Sequence, residues 1–439
     1  MERCRALRIP PALPMSIALQ PVKGTRDFYP SELRLRNWLF EIWRESARSH
    51  GFEEYDACVL ESEELYVRKA GDEITEQLYA FEDKGGRRIA LRPEMTPTLA
   101  RLILQRKSAL SFPLKWFTIP QCFRYERMTR GRKREHYQWN ADVVGQPSLV
   151  AELEVLSVLL TSLSRMGLTP GHVQVHLNDR RILNAVLDHI GVPEPAHLPV
   201  MVVMDKRDKL PPDELERQLQ EQGLDSGQVQ QLGEFLRMET LEQVRDRLGN
   251  ASALADLQRL LEMLESVGFG GYGQFDITVV RGLSYYTGTV FEVRDAGSKL
   301  RAICGGGRYD SLLSTFGGES VPAIGFGFGD VVILELLADL KLLPALTPEI
   351  DVAVIPFSEA QVPQALTLSQ AVRRAGLRAD ADFSFRKLKR ALQRASEIGA
   401  RTAVLLMPEE LERGEVVVRD MAKREERRVA LQEYLANPG

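Results

Sequence analysis

The chain has 439 residues, too many for one ordinary core, so two or three domains are expected. With 44% hydrophobic and 27% charged residues and no apolar run long enough to cross a bilayer, its composition is that of a soluble globular protein without membrane spans. A net charge of -4 excludes a uniformly basic surface, so any nucleic-acid contact must be local, and four scattered cysteines without a Cys-x-x-Cys pair exclude a disulfide framework or zinc site and fit a reducing, cytoplasmic compartment.

The first fourteen residues, MERCRALRIPPALP, carry three arginines but no signal-peptide core; they are expected to be a flexible extension reaching to residue 20, with a short organellar presequence as the alternative. From residue 21 to 179 helical and extended stretches alternate. ELRLRNWLFEIWRESARSHGF has helical spacing, whereas RRIALRP and PLKWFTIPQCFRYER read as strands. The segment 180–265 is charged, glutamine-rich and almost wholly helical, which predicts an insertion. Strand character returns at 266–345 in FDITVVRGLSYYTGTVFEV and the glycine-dense stretch that leads to GFGFGDVVILELL, so the first domain is expected to resume there. Residues 346–439 alternate strand and helix, predicting a small α/β domain on a mainly parallel sheet.

Several stretches carry more chemistry than a core needs. In LRPEMT, Glu94 and Thr96 would share one face of a strand and could hold an ammonium group; Thr96 could equally be only a helix cap. In FRYERMTRGRKREHYQWNADVV, Arg124 and Glu126 are expected on one strand face, Arg127, Arg130, Arg132, Lys133 and Arg134 form a basic tip, and His136, Gln138, Asn140 and Asp142 alternate onto one side of the returning strand. Guanidinium groups match phosphate oxygens bidentately, so this hairpin reads as a polyanion site rather than a solvated edge. RGLSYYTGTVFE sets Arg281, Tyr285 and Tyr286 in an expected strand; a regular strand would point the two tyrosines to opposite faces.

In the last domain, Leu388, Ala391, Leu392, Ala395 and Ile398 form an apolar helical stripe with Lys387, Arg390 and Arg394 on the polar side. Arg386, Lys387 and Lys389 crowd that helix's N-terminus, where cations oppose the helix dipole and a phosphate partner would relieve the mismatch.

Together PVKGTRDFYP, LRPEMT, the FRYER hairpin, RGLSYYTGTVFE, GGGRYDSLL and ELERGEVVVRDM resemble the histidyl type of class II aminoacyl-tRNA synthetase across nearly the whole chain from residue 21. The resemblance implies an α+β fold: an antiparallel sheet with flanking helices, a helical insertion and a C-terminal anticodon-binding domain. It implies ATP and L-histidine as substrates, histidyl-adenylate as intermediate, tRNA(His) as acceptor, Mg2+ on the ATP phosphates, and a homodimer. Residue by residue, Glu94, Thr96, Arg124, Gln138, Asp142, Arg281, Tyr285 and Tyr286 would bind histidine. Arg124, Glu126, Arg132, Arg134, His136 and Arg281 would bind ATP, with Arg124 and Arg281 catalytic. Arg127, Arg130, Lys387, Arg390 and Arg394 would meet tRNA. No metal ligand is assigned.

Three features depart from the family pattern. Val332 stands where the third class motif has an adenine-stacking arginine, with Asp330 two residues earlier; another cation, Arg308 among the options, would have to approach. Cys58 replaces a proline of the dimer-forming motif, and Met128 and Thr129 alter the hairpin tip. The missing arginine leaves a second reading, a histidine sensor like the regulatory subunit of ATP phosphoribosyltransferase, and a third, a general RNA-binding scaffold.

Overall fold

The computed structural model describes residues 19–67, 72–207, 210–281, 285–297, 300 and 302–438; the basic N-terminal stretch therefore lies outside the described residues. The chain forms two compact units, divided between Leu343 and Pro344.

The first unit is organised by one nine-stranded sheet. Its order is Glu53–Glu54, Leu114–Thr118, Glu135–Val144, Ala323–Gly329, Cys304–Arg308, Thr289–Asp295, Val173–Asp179 and Gly273–Phe275, with Gln121–Phe123 paired on Glu135–Val144. The interior pairings are antiparallel; only the two outer pairs, Glu53–Glu54 with Leu114–Thr118 and Val173–Asp179 with Gly273–Phe275, are parallel. The ten-residue strand Glu135–Val144 shows how the sequence makes this geometry. Successive side chains in a strand point to opposite faces, and here Trp139, Ala141 and Val143 enter the main core while His136, Gln138, Asn140 and Asp142 turn the other way. Trp139 stacks on Trp43 of the helix Pro30–Ser49, with ring centres 5.8 Å apart. The helix Val150–Arg165 covers the same core face with Val155, Leu156, Leu159 and Leu163.

Between Asp179 and Gly270 the described residues form helices only, from Arg180–His189 to Ser252–Ser266. Side-chain caps explain several of their starts: Asp179 accepts from the Arg181 amide, and Asp225 with Gln228 and Thr240 with Gln243 form reciprocal capping boxes.

Two expected strands are shorter than the sequence suggested. The strand before the basic hairpin ends at Phe123, leaving Arg124 and Glu126 in irregular backbone, and the strand of RGLSYYTGTVFE begins only at Thr289.

The second unit carries a five-stranded sheet in the order Ala379–Ala381, Val352–Pro356, Thr402–Leu406, Glu415–Asp420, Glu426–Ala430. The expectation of a mainly parallel sheet is corrected: two pairings are parallel and two antiparallel. A parallel crossover needs a dozen or more connecting residues. The links after Leu406 and Asp420 are shorter than that, so the last two strands fold back as hairpins.

Phe291, wholly buried in the strand Thr289–Asp295, is a test of the main core. Phe291→Ala should destabilise by about 3–5 kcal/mol in a denaturant melt; a loss below about 1 kcal/mol would show that the sheet does not depend on that contact.

Candidate active site

The polar face of Glu135–Val144 floors a cleft of about 1360 Å³, walled by the 94–97 segment, the hairpin, the tyrosine loop and the helix Glu194–Met204 of the helical segment. That volume exceeds what one drug-sized ligand fills, and suits a nucleotide together with a small substrate.

Polar side chains need space on a buried sheet, and glycines provide it. Gly325 lies opposite Asp142 across the ladder, and Gly305 and Gly307 lie opposite Gly327 and Gly325 on the next strand. A Cβ on Gly325 would overlap the Asp142 carboxyl, one on Gly327 would overlap the Gln138 amide, and one on Gly305 would stand 2.6 Å from Arg281 Nη1. At Gly307 it would come within 2.9 Å of the Tyr286 ring.

One end of the cleft is built for a small ligand with an ammonium group and a ring bearing donors. Asp142 is 3% exposed and its Oδ1 accepts a 2.5 Å hydrogen bond from the Tyr309 hydroxyl. Burial pushes its carboxyl up to about 7, with the Tyr309 bond opposing. Gln138 Oε1 and Asn140 Oδ1 are buried acceptors without partners among the described residues. Such groups are disfavoured in a protein interior unless a ligand's donors satisfy them. Glu94 is buried, and burial raises its carboxyl while Arg124, the Tyr285 hydroxyl at 3.5 Å and Arg281 pull it back. The strand Arg88–Leu91 ends before Glu94, and Thr96 is the first residue of the helix Thr96–Arg106 rather than its cap, which is Met95, so the expected shared strand face of Glu94 and Thr96 is corrected. Tyr285 and Tyr286 both enter the cleft with ring centres 5.0 Å apart, because their backbone is not a strand; the expected opposition of the two rings is corrected.

The other end is cationic. Arg124 is aimed by its Nε, which donates 2.9 Å to the Pro93 carbonyl. Arg132 pairs with Glu126 at 2.7 Å, and both line the cleft with Lys133 and His136. Arg281 Nη1 donates 2.9 Å to Glu292. Burial alone would lower the Arg281 pKa, but Tyr286 and Glu292 hold it above the ordinary arginine value.

Other expected residues lie elsewhere. Arg134 and Arg127 are absent from the cleft lining, and the Arg134 guanidinium lies 3.7 Å from the Tyr125 ring centre. Residues 132–134 precede the strand Glu135–Val144, so strand alternation does not set their directions, and Lys133 between the two arginines lines the cleft. Arg130 lines the cleft but is held by Glu335 at 2.8 Å and Asp339 at 2.7 Å. Arg308 does not approach the cleft to replace the missing arginine: its guanidinium forms a buried bidentate pair with Glu152, both bonds 2.6 Å, beside a separate cavity. Val332 does line the cleft, while Asp330 is fully buried, accepts the Tyr137 amide at 3.0 Å and pairs with Arg26 at 2.9 Å. In the second unit Lys387 and Arg390 flank the start of the helix Leu388–Glu397, whereas Arg394 is paired with Asp380 at 2.5 Å.

Sequence reasoning missed Tyr309, the Glu292–Arg294 pair, and Asp205, Lys206 and Arg207 at the end of the helix Glu194–Met204. Tyr309 follows the GGGR run and Glu292 closes RGLSYYTGTVFE, so both stood in stretches already singled out; the insertion residues carried no comparable signal.

This mostly antiparallel sheet with its flanking helices has the fold of the class II aminoacyl-tRNA synthetases. A histidyl-tRNA synthetase family model matches residues 24–329, and an anticodon binding domain model matches residues 351–437. Histidine--tRNA ligase, chloroplastic/mitochondrial, of Arabidopsis thaliana is 47% identical over 94% of this chain and 86% of its own length. The histidine--tRNA ligase of Opitutus terrae is 40% identical over 93% and 95%. In fold, the chain is similar to histidyl-tRNA synthetase from Nostoc sp. PCC 7120, with a TM-score of 0.79 at 24% identity, covering 97% of this chain and 100% of that one. The chain belongs to the histidyl-tRNA synthetase family.

The glycine floor and the Asp142 carboxyl each yield a prediction. Gly325→Ala should weaken histidine binding in calorimetry far more than Gly329→Ala, whose Cβ meets nothing within 4 Å; equal effects would refute the crowding argument. For Asp142, the native carboxyl titrates above its unfolded value, so stability present below about pH 4 is lost as pH rises through about 7. Asp142→Asn should therefore raise the melting temperature more at pH 8 than at pH 5, while histidine binding weakens. A gain independent of pH would mean that Asp142 does not titrate there.

Proposed function

We propose that this chain is a histidine-tRNA ligase, which condenses L-histidine with ATP to histidyl-adenylate and pyrophosphate, then transfers the histidyl group to the terminal ribose of tRNA(His) with release of AMP. The observation that carries this reading is one cleft that joins a donor-matching amino-acid end, built on Asp142, Tyr309, Gln138 and Glu94, to a cationic end with Arg124, Arg132 and Arg281. A neutral imidazole offers one N–H donor and one acceptor nitrogen. A carboxylate fixed by a tyrosine accepts the first, and a phenol donates to the second. Sites that hydrogen-bond a polar substrate reject non-bonding analogues by roughly 10⁴ to 10⁵, so no editing step is required.

In the first step the histidine carboxylate attacks the α-phosphorus of ATP and the bond to the pyrophosphate oxygen breaks. A carboxylate is already ionised at neutral pH, so this step needs no general base. Glu94 and Thr96 hold the ammonium group, and Arg124 bridges the substrate carboxylate and the α-phosphate. Arg281 meets the oxygens on which negative charge develops, so its effect is larger in the transition state than in the ground state. Arg132 and Lys133 meet the outer phosphates, with Glu126 and His136 on the adenine side; Arg134 enters this reading only through its contact with Tyr125. Mg2+ bound to the ATP phosphates would supply further charge neutralisation.

The anticodon arm of tRNA(His) is assigned to the second unit, around Lys387 and Arg390, and the acceptor end to the hairpin with Arg127 and Arg130. We further infer a cytoplasmic homodimer, each chain of which carries a helical insertion at 180–265 and a C-terminal domain at 346–439; the Arabidopsis relative's name leaves the organelle as the other compartment. A Bacillus halodurans structure named ATP phosphoribosyltransferase regulatory subunit/histidyl-tRNA synthetase has a TM-score of 0.72. Here the anticodon binding domain match and the retained Glu94, Arg124 and Arg281 favour the enzyme over a sensor.

Histidine-dependent exchange of labelled pyrophosphate into ATP tests the activation step directly; exchange confined to histidine supports the ligase, and histidine binding without exchange would establish a sensor. Arg281→Ala should lower that exchange by about 10²–10³-fold with histidine affinity nearly unchanged.

A further inference from the structure

Arg281 has an unusual backbone. Its φ is 54°, in the left-handed region that few non-glycine residues occupy. Such a conformation persists only where surrounding structure determines it. Its side chain is equally constrained. The absence of a Cβ on Gly305 gives Nη1 its space, and Glu292 Oε1 receives that nitrogen at 2.9 Å. Arg281 Nε is buried without a partner among the described residues.

Behind Glu292 the pairing continues away from the cleft. Its other oxygen accepts two N–H bonds from Arg294, at 3.1 Å and 2.9 Å, so the carboxylate cannot rotate without losing three bonds. Arg294 Nη1 then donates 3.2 Å to Asp276 Oδ2, which also lies 2.8 Å from His176 Nδ1. Asp276 Oδ1 accepts from the Thr278 amide at 2.9 Å and from the Thr278 hydroxyl. The chain crosses the sheet in register, since His176 lies directly opposite Glu292. Glu292 and Arg294 line the cleft, but Asp276 and His176 do not.

We propose that Arg294 and Asp276, acting through Glu292, are positioning residues that hold the Arg281 guanidinium in the orientation required for adenylate formation. The inference rests on the assignment of Arg281 to the reacting phosphoryl group. Two cations alternate with two anions, so the chain adds no net charge to the cleft; its contribution is orientation. A donor fixed before reaction needs no reorganisation as charge develops, and a displacement of about 1 Å can lower a rate by about 10²-fold. Asp276 does not line the cleft, which separates its effect from binding.

The test is single-turnover formation of histidyl-adenylate at saturating ATP, with histidine affinity from calorimetry. Asp276→Asn should lower the rate by about tenfold and leave histidine affinity within about twofold. Arg294→Met provides a second break in the chain if the first variant folds poorly, with the same expected split. In an Arg281→Lys background, Asp276→Asn should have little further effect, because the group it orients has been replaced. An unchanged rate in both single variants, or the same tenfold loss in the Arg281→Lys background, would overturn the proposal. A near-normal rate for Arg281→Ala would instead remove the assignment of Arg281 itself, so the two failures are distinguishable.

Discussion

The active cleft depends on a strand having two faces with incompatible needs. Glu135–Val144 puts Trp139, Ala141 and Val143 into a close-packed core, which fixes its register, because a slip of one residue would send those side chains into the cleft. The same register delivers Gln138, Asn140 and Asp142 to the opposite face. Their neighbours on the strand Ala323–Gly329 are glycines, and a Cβ on Gly325 or Gly327 would collide with the Asp142 carboxyl or the Gln138 amide. Packing on one side of the sheet thus sets chemistry on the other.

Electrostatics follows from that burial. Charged groups taken from water need partners, and the protein supplies them unevenly. The cationic end holds its cations against carboxylates, Arg132 with Glu126 and Arg281 with Glu292. At the other end Asp142 has a hydroxyl rather than a cation, and two amide oxygens have no partner among the described residues. That unevenness makes the second region receptive to donors carried by a substrate.

The departure at the third class motif is also local and physical. Asp330 opens the helix Asp330–Asp339 with its side chain buried, and burial raises its carboxyl above the ordinary value although Arg26 and the Tyr137 amide pull it back. The 24–26 segment is thereby tied to the start of Glu135–Val144: the Gly24 carbonyl accepts from the Arg134 amide at 3.0 Å, and Arg26 reaches Asp330. A position lacking the expected arginine is thus accompanied by an ion pair that binds the N-terminal segment to the sheet.

Much of this was legible in the sequence, because alternation and local motifs are properties of neighbouring residues. The polar face of the returning strand, the Glu94–Thr96 segment, the hairpin arginine and the α+β organisation all follow from order along the chain. Where the reading failed, the missing information was not local. Whether Tyr285 and Tyr286 share a cleft depends on a loop displacing a strand, and whether Arg130 or Arg394 is available depends on acids 205 residues downstream or 14 upstream. Tyr309 reaches Asp142 across 167 residues, and the Arg281 support chain links three separate strand regions. The sequence determined which chemical groups alternate onto a face; tertiary structure alone decided which groups meet, since hydrogen bonds and ion pairs act over a few ångströms of space whatever the separation along the chain.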